Sequence, residues 1–337
     1  MLTDRLPKYR RHLRIWVWSA ALLIMVCPAS AWAKQATKIT VCLQWVHQAQ
    51  FAGFYVAQDL GLYKQAGLEV TLVPGGPGAS PLGKLASGKC DFAMAWLCDG
   101  IRQKSRGAPI VHLAQIIQRS ALTLVAFGDS GIKTIKDMQG RKVGLWGDRF
   151  SLAPKALFKR EGITVQQLRQ GSSMAPFVLR ALEVASAMRY NEIHQLYQAG
   201  IDLKDLVIFK FADLGLNFPE DGIYTTEANW QSRTQLCRRF VSATLQGWKT
   251  AFAKPEQTLK SVMKRVEGAN LASNHSHQHW MLDTMSKLIP PRTEKTPWGK
   301  VNPNDLELVN KVLLSQGFIG APLNAASFLR EAWRAPK

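Results

Sequence analysis

From Lys38 onward, short stretches with apolar residues at alternate positions are interleaved with segments of helical period. Lys38–Trp45 has the two-residue alternation of a strand. Phe51–Gln65 carries Phe51, Tyr55, Leu62 and Tyr63 at roughly helical spacing, and Gly67 marks its end. Leu68–Val73 predicts a second strand and Pro74–Gly78 a turn, after which Ser80-Pro81 reads as an N-cap followed by proline at the first helical position. That helix is expected to end near Gly88, with a third strand over Asp91–Leu97. Strand, helix, strand, helix, strand with short loops implies parallel pairing and right-handed crossovers, hence an open α/β sheet.

A second unit of the same kind follows. Leu122–Phe127, Lys142–Trp146 and Leu206–Phe209 read as strands, with helices over Thr134–Met138, Ser151–Gly162 and Asn191–Ala199. After about residue 225 the pattern becomes helical, over Arg233–Phe252, Pro255–Val266, Gln278–Leu288 and Asp305–Ser315. The expected architecture is two α/β lobes: residues 36–120 with 226–337 in the first, and 121–225 in the second. No repeat of solenoid period and no low-complexity segment interrupts the pattern.

Ahead of these elements, Arg10-Arg11-His12-Leu13-Arg14 precedes the apolar run Ile15–Cys27, then Pro28 and Ala31-Trp32-Ala33. A basic head, a short hydrophobic middle and a small-x-small site form the pattern of a secretory signal peptide over residues 1–33. The run is shorter than the ~20 residues that span a bilayer. The chain's net charge is +19; this segment, with five basic residues against Asp4, holds four of those charges and leaves fifteen. They are scattered in pairs such as Arg141-Lys142 and Lys264-Arg265 without interleaved aromatics, so no nucleic-acid partner is expected. Beyond Cys27 there remain Cys42, Cys90, Cys98 and Cys237. A strand between Cys90 and Cys98, rising ~3.3 Å per residue, would hold them ~26 Å apart, too far for a disulfide. Buried free thiols are expected.

Ligands of open α/β sheets sit beyond the carboxyl ends of the strands. Those ends are Gln44-Trp45-Val46-His47-Gln48, Gly75–Ser80 and Met94-Ala95-Trp96, which gather two tryptophans and a glycine loop near one crevice. The loop could offer backbone N–H groups to an anion, but it lacks the Lys-Ser/Thr of a nucleotide P-loop. In the second unit, Tyr190-Asn191-Glu192 opens a helix. Its dipole favours Glu192 there; the same carboxylate facing a cleft would accept N–H donors of a ligand. Asp213, Asp221 and Tyr224 are weaker candidates, equally consistent with turn chemistry. His275-Ser276-His277-Gln278-His279 places two histidines at i,i+4, but no glutamate or third ligand accompanies them, and the segment reads as a solvated helix start. No nucleophile elbow is found, and no metal or cofactor is expected.

Several of these segments resemble the opening of periplasmic substrate-binding proteins related to the thiamine-pyrimidine synthase family. They are Trp45, Gln50–Ala57, Gly61-Leu62-Tyr63, Ala66–Val70 and Gly88–Phe92, followed by Ile135–Gly144, Asn191-Glu192, Asn217–Thr226 and Gln246–Ala251. The resemblance covers roughly Lys38 to Pro322. It implies a two-lobed, type II periplasmic-binding fold with mixed open sheets, closing on a small molecule and delivering it to an ABC importer. In pyrimidine binders of this kind aromatic residues sandwich the ring and an acidic residue grips the aminopyrimidine edge. Trp45, Tyr190 and Glu192 match those positions, and the strand-end argument adds Trp96. This chain departs from the pattern at Glu183–Ala187 and at Ile193, where relatives commonly carry Asp-Ala and proline. The cysteine-rich iron motif of the synthase branch has no counterpart.

The expected function is therefore an exported, monomeric, non-enzymatic binding protein for a small heteroaromatic amine, with importer permease subunits as partners. The expected ligand-binding set is Trp45, Gln50, Tyr55, Gly76, Gly78, Trp96, Tyr190, Asn191 and Glu192. Alternatives are a sensory binding protein serving a receptor, a binder of sulfonate, taurine or nitrate, and a synthase-like enzyme.

Overall fold

Thr37–Cys42 (β1) buries Ile39 and Val41 between two parallel neighbours, Leu68–Val73 (β2) and Phe92–Ala95 (β3). This is the parallel trio expected from the alternation. A computed structural model describes residues 35–291, 293 and 296–334, apart from the side chain of Asp148; the leader expected over 1–33 lies outside them. Two further strands complete the first sheet. Ile110–Ile117 (β4) and Glu220–Thr226 (β10) give the order β2-β1-β3-β10-β4, with β10 antiparallel to both neighbours. The second sheet holds Leu122–Phe127 (β5), Lys142–Leu145 (β6), Gln166–Arg169 (β7), Val184–Met188 (β8) and Leu206–Lys210 (β9). Its order is β7-β6-β8-β5-β9, the same plan of a parallel trio, an inserted antiparallel strand and an outer strand. The mixed α/β fold class expected from the sequence is the one observed.

Four strands escape the sequence pattern. All eight residues of β4 and all five of β8 are buried, so both lack the alternation that marks a half-exposed strand. Strand β7 is exposed along its length and has no apolar face. Strand β10 begins Glu220-Asp221-Gly222, residues that suggest a turn. Strand β10, most of which falls within the range 121–225 expected for the second lobe, is hydrogen-bonded into the first sheet, and the chain passes back to that sheet over 211–219. The expected helix over Phe51–Gln65 is broken at Gly61, where φ is 70°, into Ala52–Asp59 and Leu62–Gln65. The strand expected over Asp91–Leu97 stops at Ala95, and Leu97–Ser105 is helical. Cys98 thus lies on a helix; Cys42, Cys90, Cys98 and Cys237 are all buried and free.

Two passages of chain join the sheets, 118–121 and 211–219, and buried polar groups bind them together. Asn217 accepts from the Ser120 N–H at 2.8 Å and donates Nδ2 to the Gln118 carbonyl at 2.9 Å. Glu220 Oε1 accepts from Ser120 Oγ and from the Ala121 N–H, both at 2.7 Å. Gln115 Nε2 donates to the Glu220 carbonyl. Among the described residues no helix is long and apolar enough to cross a membrane.

The C-terminal helices return to the first sheet. Glu227–Ala253 packs across Ala52–Asp59, and the contact is backbone to backbone. A Cβ on Gly247 would stand 2.1 Å from the Gly53 carbonyl oxygen, and one on Gly53 would meet the fully buried Trp248 indole at 2.3 Å. Two of the family-like segments, Ala52-Gly53-Phe54 and Gln246-Gly247-Trp248, are thus explained by helix packing. Gly247→Ala is expected to lower the unfolding free energy by about 1–3 kcal/mol or more through overpacking. Gly268→Ala, with open space around it, should be neutral or slightly stabilising. Urea unfolding of both variants checks the contrast.

Candidate functional site

At the carboxyl ends of β1 and β3, beside β10, three amide side chains and an indole close on one carboxyl. Gln44 takes the single amide orientation that satisfies both its neighbours. Its Nε2 donates to Asp221 Oδ1 at 2.7 Å, and its oxygen accepts from Trp96 Nε1 at 2.9 Å. Gln50 Nε2 donates to Asp221 Oδ2 at 2.6 Å, and Gln50 Oε1 accepts from Gln48 Nε2. Asp221 is fully buried and adopts φ 54°, the left-handed region that aspartate tolerates better than most residues. The β10 strand is irregular nearby, with a register shift between Ile223 and Tyr224.

The second half contributes rings and further acids. Phe150 meets the Trp96 indole edge to face at 5.0 Å between centroids, and Trp146 meets Phe150 at 5.6 Å. Arg149 reaches Asp99 of the first half at 3.3 Å. The buried ring of Tyr190 lies within the field of three carboxyls, Glu220, Asp221 and Glu192; burial first, then these charges, hold its phenol well above the ordinary range. Glu192 is buried at the start of the Glu192–Gln198 helix. Its Oε2 accepts from the Met188 N–H at 2.8 Å and its Oε1 from Asn191 Nδ2 at 2.6 Å. Glu220 keeps one buried oxygen, Oε2, without a partner.

Loss of water dominates the electrostatics of these acids. Burial pushes Asp221 and Glu192 up to about 7 and Glu220 up to about 8, against the hydrogen bonds that favour their ionised forms. Three carboxyls so placed will favour a ligand that brings N–H donors or positive charge, and the rings offer flat surfaces beside them.

Of the nine candidate residues, Gln50 and Trp96 stand in the Asp221 network, with Tyr190 and Glu192 in the surrounding acid field. Asn191 holds Glu192. Trp45 is half-buried against the core, and its carbonyl accepts from the Gly75 N–H. Tyr55 is fully buried, bonded to His47 and to the backbone of Gln48, and covered by the Arg265 guanidinium. Gly76 and Gly78 sit in the turn after β2 with φ 147° and 75° and nothing crowding them; the close approach is made by Gly75, whose Cβ would fall 2.6 Å from the Gln44 carbonyl. Among the weaker candidates, Asp213 is exposed and paired with Arg119, and Tyr224 is buried against the Trp96 carbonyl. Asp221 is central. Gln44, Glu220, Phe150 and Trp146 lay outside the expected set; the signals available for them were the strand ends at Gln44 and Trp146 and the family-like segment Pro219-Glu220-Asp221-Gly222. The histidine segment is the solvated helix start expected at His275, Ser276 and His279, which are exposed, but not at His277. The helix begins at His275, and His277 is buried. Among the described residues no group of three or more His, Cys, Asp or Glu side chains could hold a metal ion.

The family model described as NMT1/THI5 like matches residues 48–258. The riboflavin-binding protein RibY of Chloroflexus aurantiacus is 24% identical over 253 residues, 69% of this chain and 68% of that protein. The 4-amino-5-hydroxymethyl-2-methylpyrimidine phosphate synthase of Schizosaccharomyces pombe is 23% identical over 145 residues, spanning 42% of each chain, so this chain matches less than half of that relative's length. The periplasmic aliphatic sulphonate binding protein SsuA of Escherichia coli superposes with a TM-score of 0.68 at 15% identity, covering 87% of this chain and 92% of that one. The periplasmic-binding fold expected from the resemblance is the fold of this chain.

The shifted acids make stability depend on pH. An unfolded carboxyl releases its proton near pH 4, whereas these hold theirs to 7 or 8. Their contribution is therefore complete below about pH 4 and lost as pH rises through 7–8. His47, His112, His194 and His277, all shifted down by burial, work in the opposite sense but below about pH 6.5. Relative to wild type, Glu220→Gln should thus gain about 2 kcal/mol and Asp221→Asn about 1 kcal/mol between pH 6.5 and 8.5. Denaturant unfolding across that interval gives the difference.

Proposed function

The chain belongs to the NMT1/THI5-like family, and from that premise we propose that it is the solute-binding protein of an ABC importer. It takes a small heteroaromatic amine of the thiamine-pyrimidine class into the gap between its two halves. The observation that carries the reading is the acid set. Asp221, Glu220 and Glu192 all act electrostatically on the buried Tyr190 phenol, with Trp96 and Phe150 set against each other from opposite halves. An aminopyrimidine supplies exocyclic N–H donors and a ring nitrogen that can carry a proton, which together compensate buried carboxyls. Its flat face suits the indole and phenyl surfaces. The relative that binds riboflavin and those that make the pyrimidine phosphate belong to the same chemistry of flat nitrogen heterocycles.

The two passages between the sheets support a mechanism of closure about 118–121 and 211–219, with ligand selecting the closed form that the permease reads. The basic, apolar leader and the likeness to periplasmic proteins support export to the periplasm, where the chain acts as a monomer. A sulfonate reading has the fold of SsuA behind it and long-range help from the net positive charge. At close range an anion would face three buried acids, which favours the amine.

Isothermal calorimetry tests this. Heat is expected with 4-amino-5-hydroxymethyl-2-methylpyrimidine and none with an alkanesulfonate. Asp221→Asn should weaken binding about 10- to 100-fold, through loss of charge-assisted hydrogen bonds worth ~1.5–3 kcal/mol each. Sulfonate binding that Asp221→Asn leaves intact or tightens would sink the proposal, and product formed from pyridoxal phosphate and iron would move it to the synthase side.

A further inference from the structure

His194, on the Glu192–Gln198 helix of the second half, and His277, on the His275–Leu288 helix that packs with the first, meet with their Nδ1 atoms 2.9 Å apart. The rest of the network fixes their protons. Asn191 gives its Nδ2 to Glu192 Oε1, so its Oδ1 is an acceptor, and His277 Nε2, 2.9 Å away, must donate to it. Neutral His277 then presents a bare Nδ1, and His194 donates Nδ1–H to it. A continuous path runs from the first half, through His277 and Asn191, to the Glu192 carboxyl. Trp280 stacks on His194 at 5.0 Å and donates Nε1 to the Arg189 carbonyl, a second bond between the halves at the same place.

We propose that His194 and His277 form a latch between the two halves, closed while the rings are neutral, and that His277 is a positioning residue which fixes Asn191, and through it Glu192, only in the closed form. This rests on the gap being the ligand site. One proton is accommodated by moving the His194 proton to Nε2, so that His277 Nδ1–H donates to His194. A second leaves two N–H groups facing each other, and the latch opens. The groups around the pair are His275, His279 and Asp283 on the same helix, where they line an open groove of about 510 Å³ with His194 and Trp280. From the other half come Tyr197, whose ring is 6.0 Å from His194, the Arg189 backbone, and Glu192 beyond Asn191. Burial, and then the facing ring, push His277 down to about 4, and burial pushes His194 down. Both shifts mean that closure is favoured above about pH 6.5 and lost as pH falls toward 4.

Small-angle scattering of the unliganded full chain from pH 7.5 to 4.5 reads the opening directly. The wild-type radius of gyration should rise on acidification as the closed-to-open ratio drops about a hundredfold. His277→Gln keeps a donor for Asn191 but cannot titrate, and should stay closed throughout; His277→Leu should be open at pH 7.5. A pH-independent wild-type radius, or the same curve in His277→Gln, overturns the latch. Calorimetry with 4-amino-5-hydroxymethyl-2-methylpyrimidine adds the positioning test: His277→Leu should bind about tenfold more weakly at pH 7.5 and His277→Gln within about twofold of wild type. If wild type takes up no pyrimidine, the proposed function fails while scattering still decides the latch. If pyrimidine binds equally well to wild type and His277→Leu, the positioning role fails and the function stands.

Discussion

One carboxyl ties the two sheets to each other. Glu220 Oε1 accepts from Ser120 Oγ and the Ala121 N–H on the outgoing passage, while Glu220 itself begins the strand that ends the return. Both places where the chain crosses are thereby bound at a single buried group, and Asn217 adds two more bonds between the same passages. Such a block resists shear and leaves rotation about two short segments as the easy motion. The next residue is Asp221, so the group at the centre of the candidate site is anchored at the crossing itself.

That adjacency gives the electrostatics their meaning. An isolated carboxyl in a dry gap is costly, and here burial outweighs every hydrogen bond made to Asp221, Glu192 and Glu220. These groups lie beside the two passages between the sheets, and on the proposed function a donor-rich ligand would relieve the cost. Two groups of contacts join the halves. Arg149 reaches Asp99 and Gln316 reaches the Leu152 carbonyl; His194 meets His277, and Trp280 reaches the Arg189 carbonyl. The two groups differ in kind. An arginine–aspartate pair is held by opposite charges, whereas burial pushes both imidazoles down, so that their pair is neutral near pH 7 and charges only on acidification.

Similarity to known proteins divides along the same physical lines. Gly53 and Gly247 are required by the helix crossing over which Trp248 lies, whatever the ligand. The likeness to SsuA, at 15% identity, shows the fold alone. On the proposed reading, the choice between a pyrimidine and a sulfonate would rest on the sign of the charge that Asp221, Glu220 and Glu192 present, not on the fold.

Periodicity was enough for those parts of the chain whose environment differs between two faces. β1, β2 and the long C-terminal helices carry their solvent side in the sequence, and the start at Ser80-Pro81 carries its cap, with Ser80 Oγ accepting from the Gly83 N–H. Trp96, Tyr190 and Glu192 could be named because strand ends and helix starts can be located in advance. The tertiary structure alone decided the rest. A strand buried on both faces, such as β4, has no alternation to read, and Glu220-Asp221-Gly222 looks like a turn until two neighbouring strands supply its hydrogen bonds. Asp221 joins Gln44 and Gln50 across about 170 residues of chain, and His277 meets His194 across 83. Such pairings carry no local signal, because the water they exclude is removed only when distant segments come together.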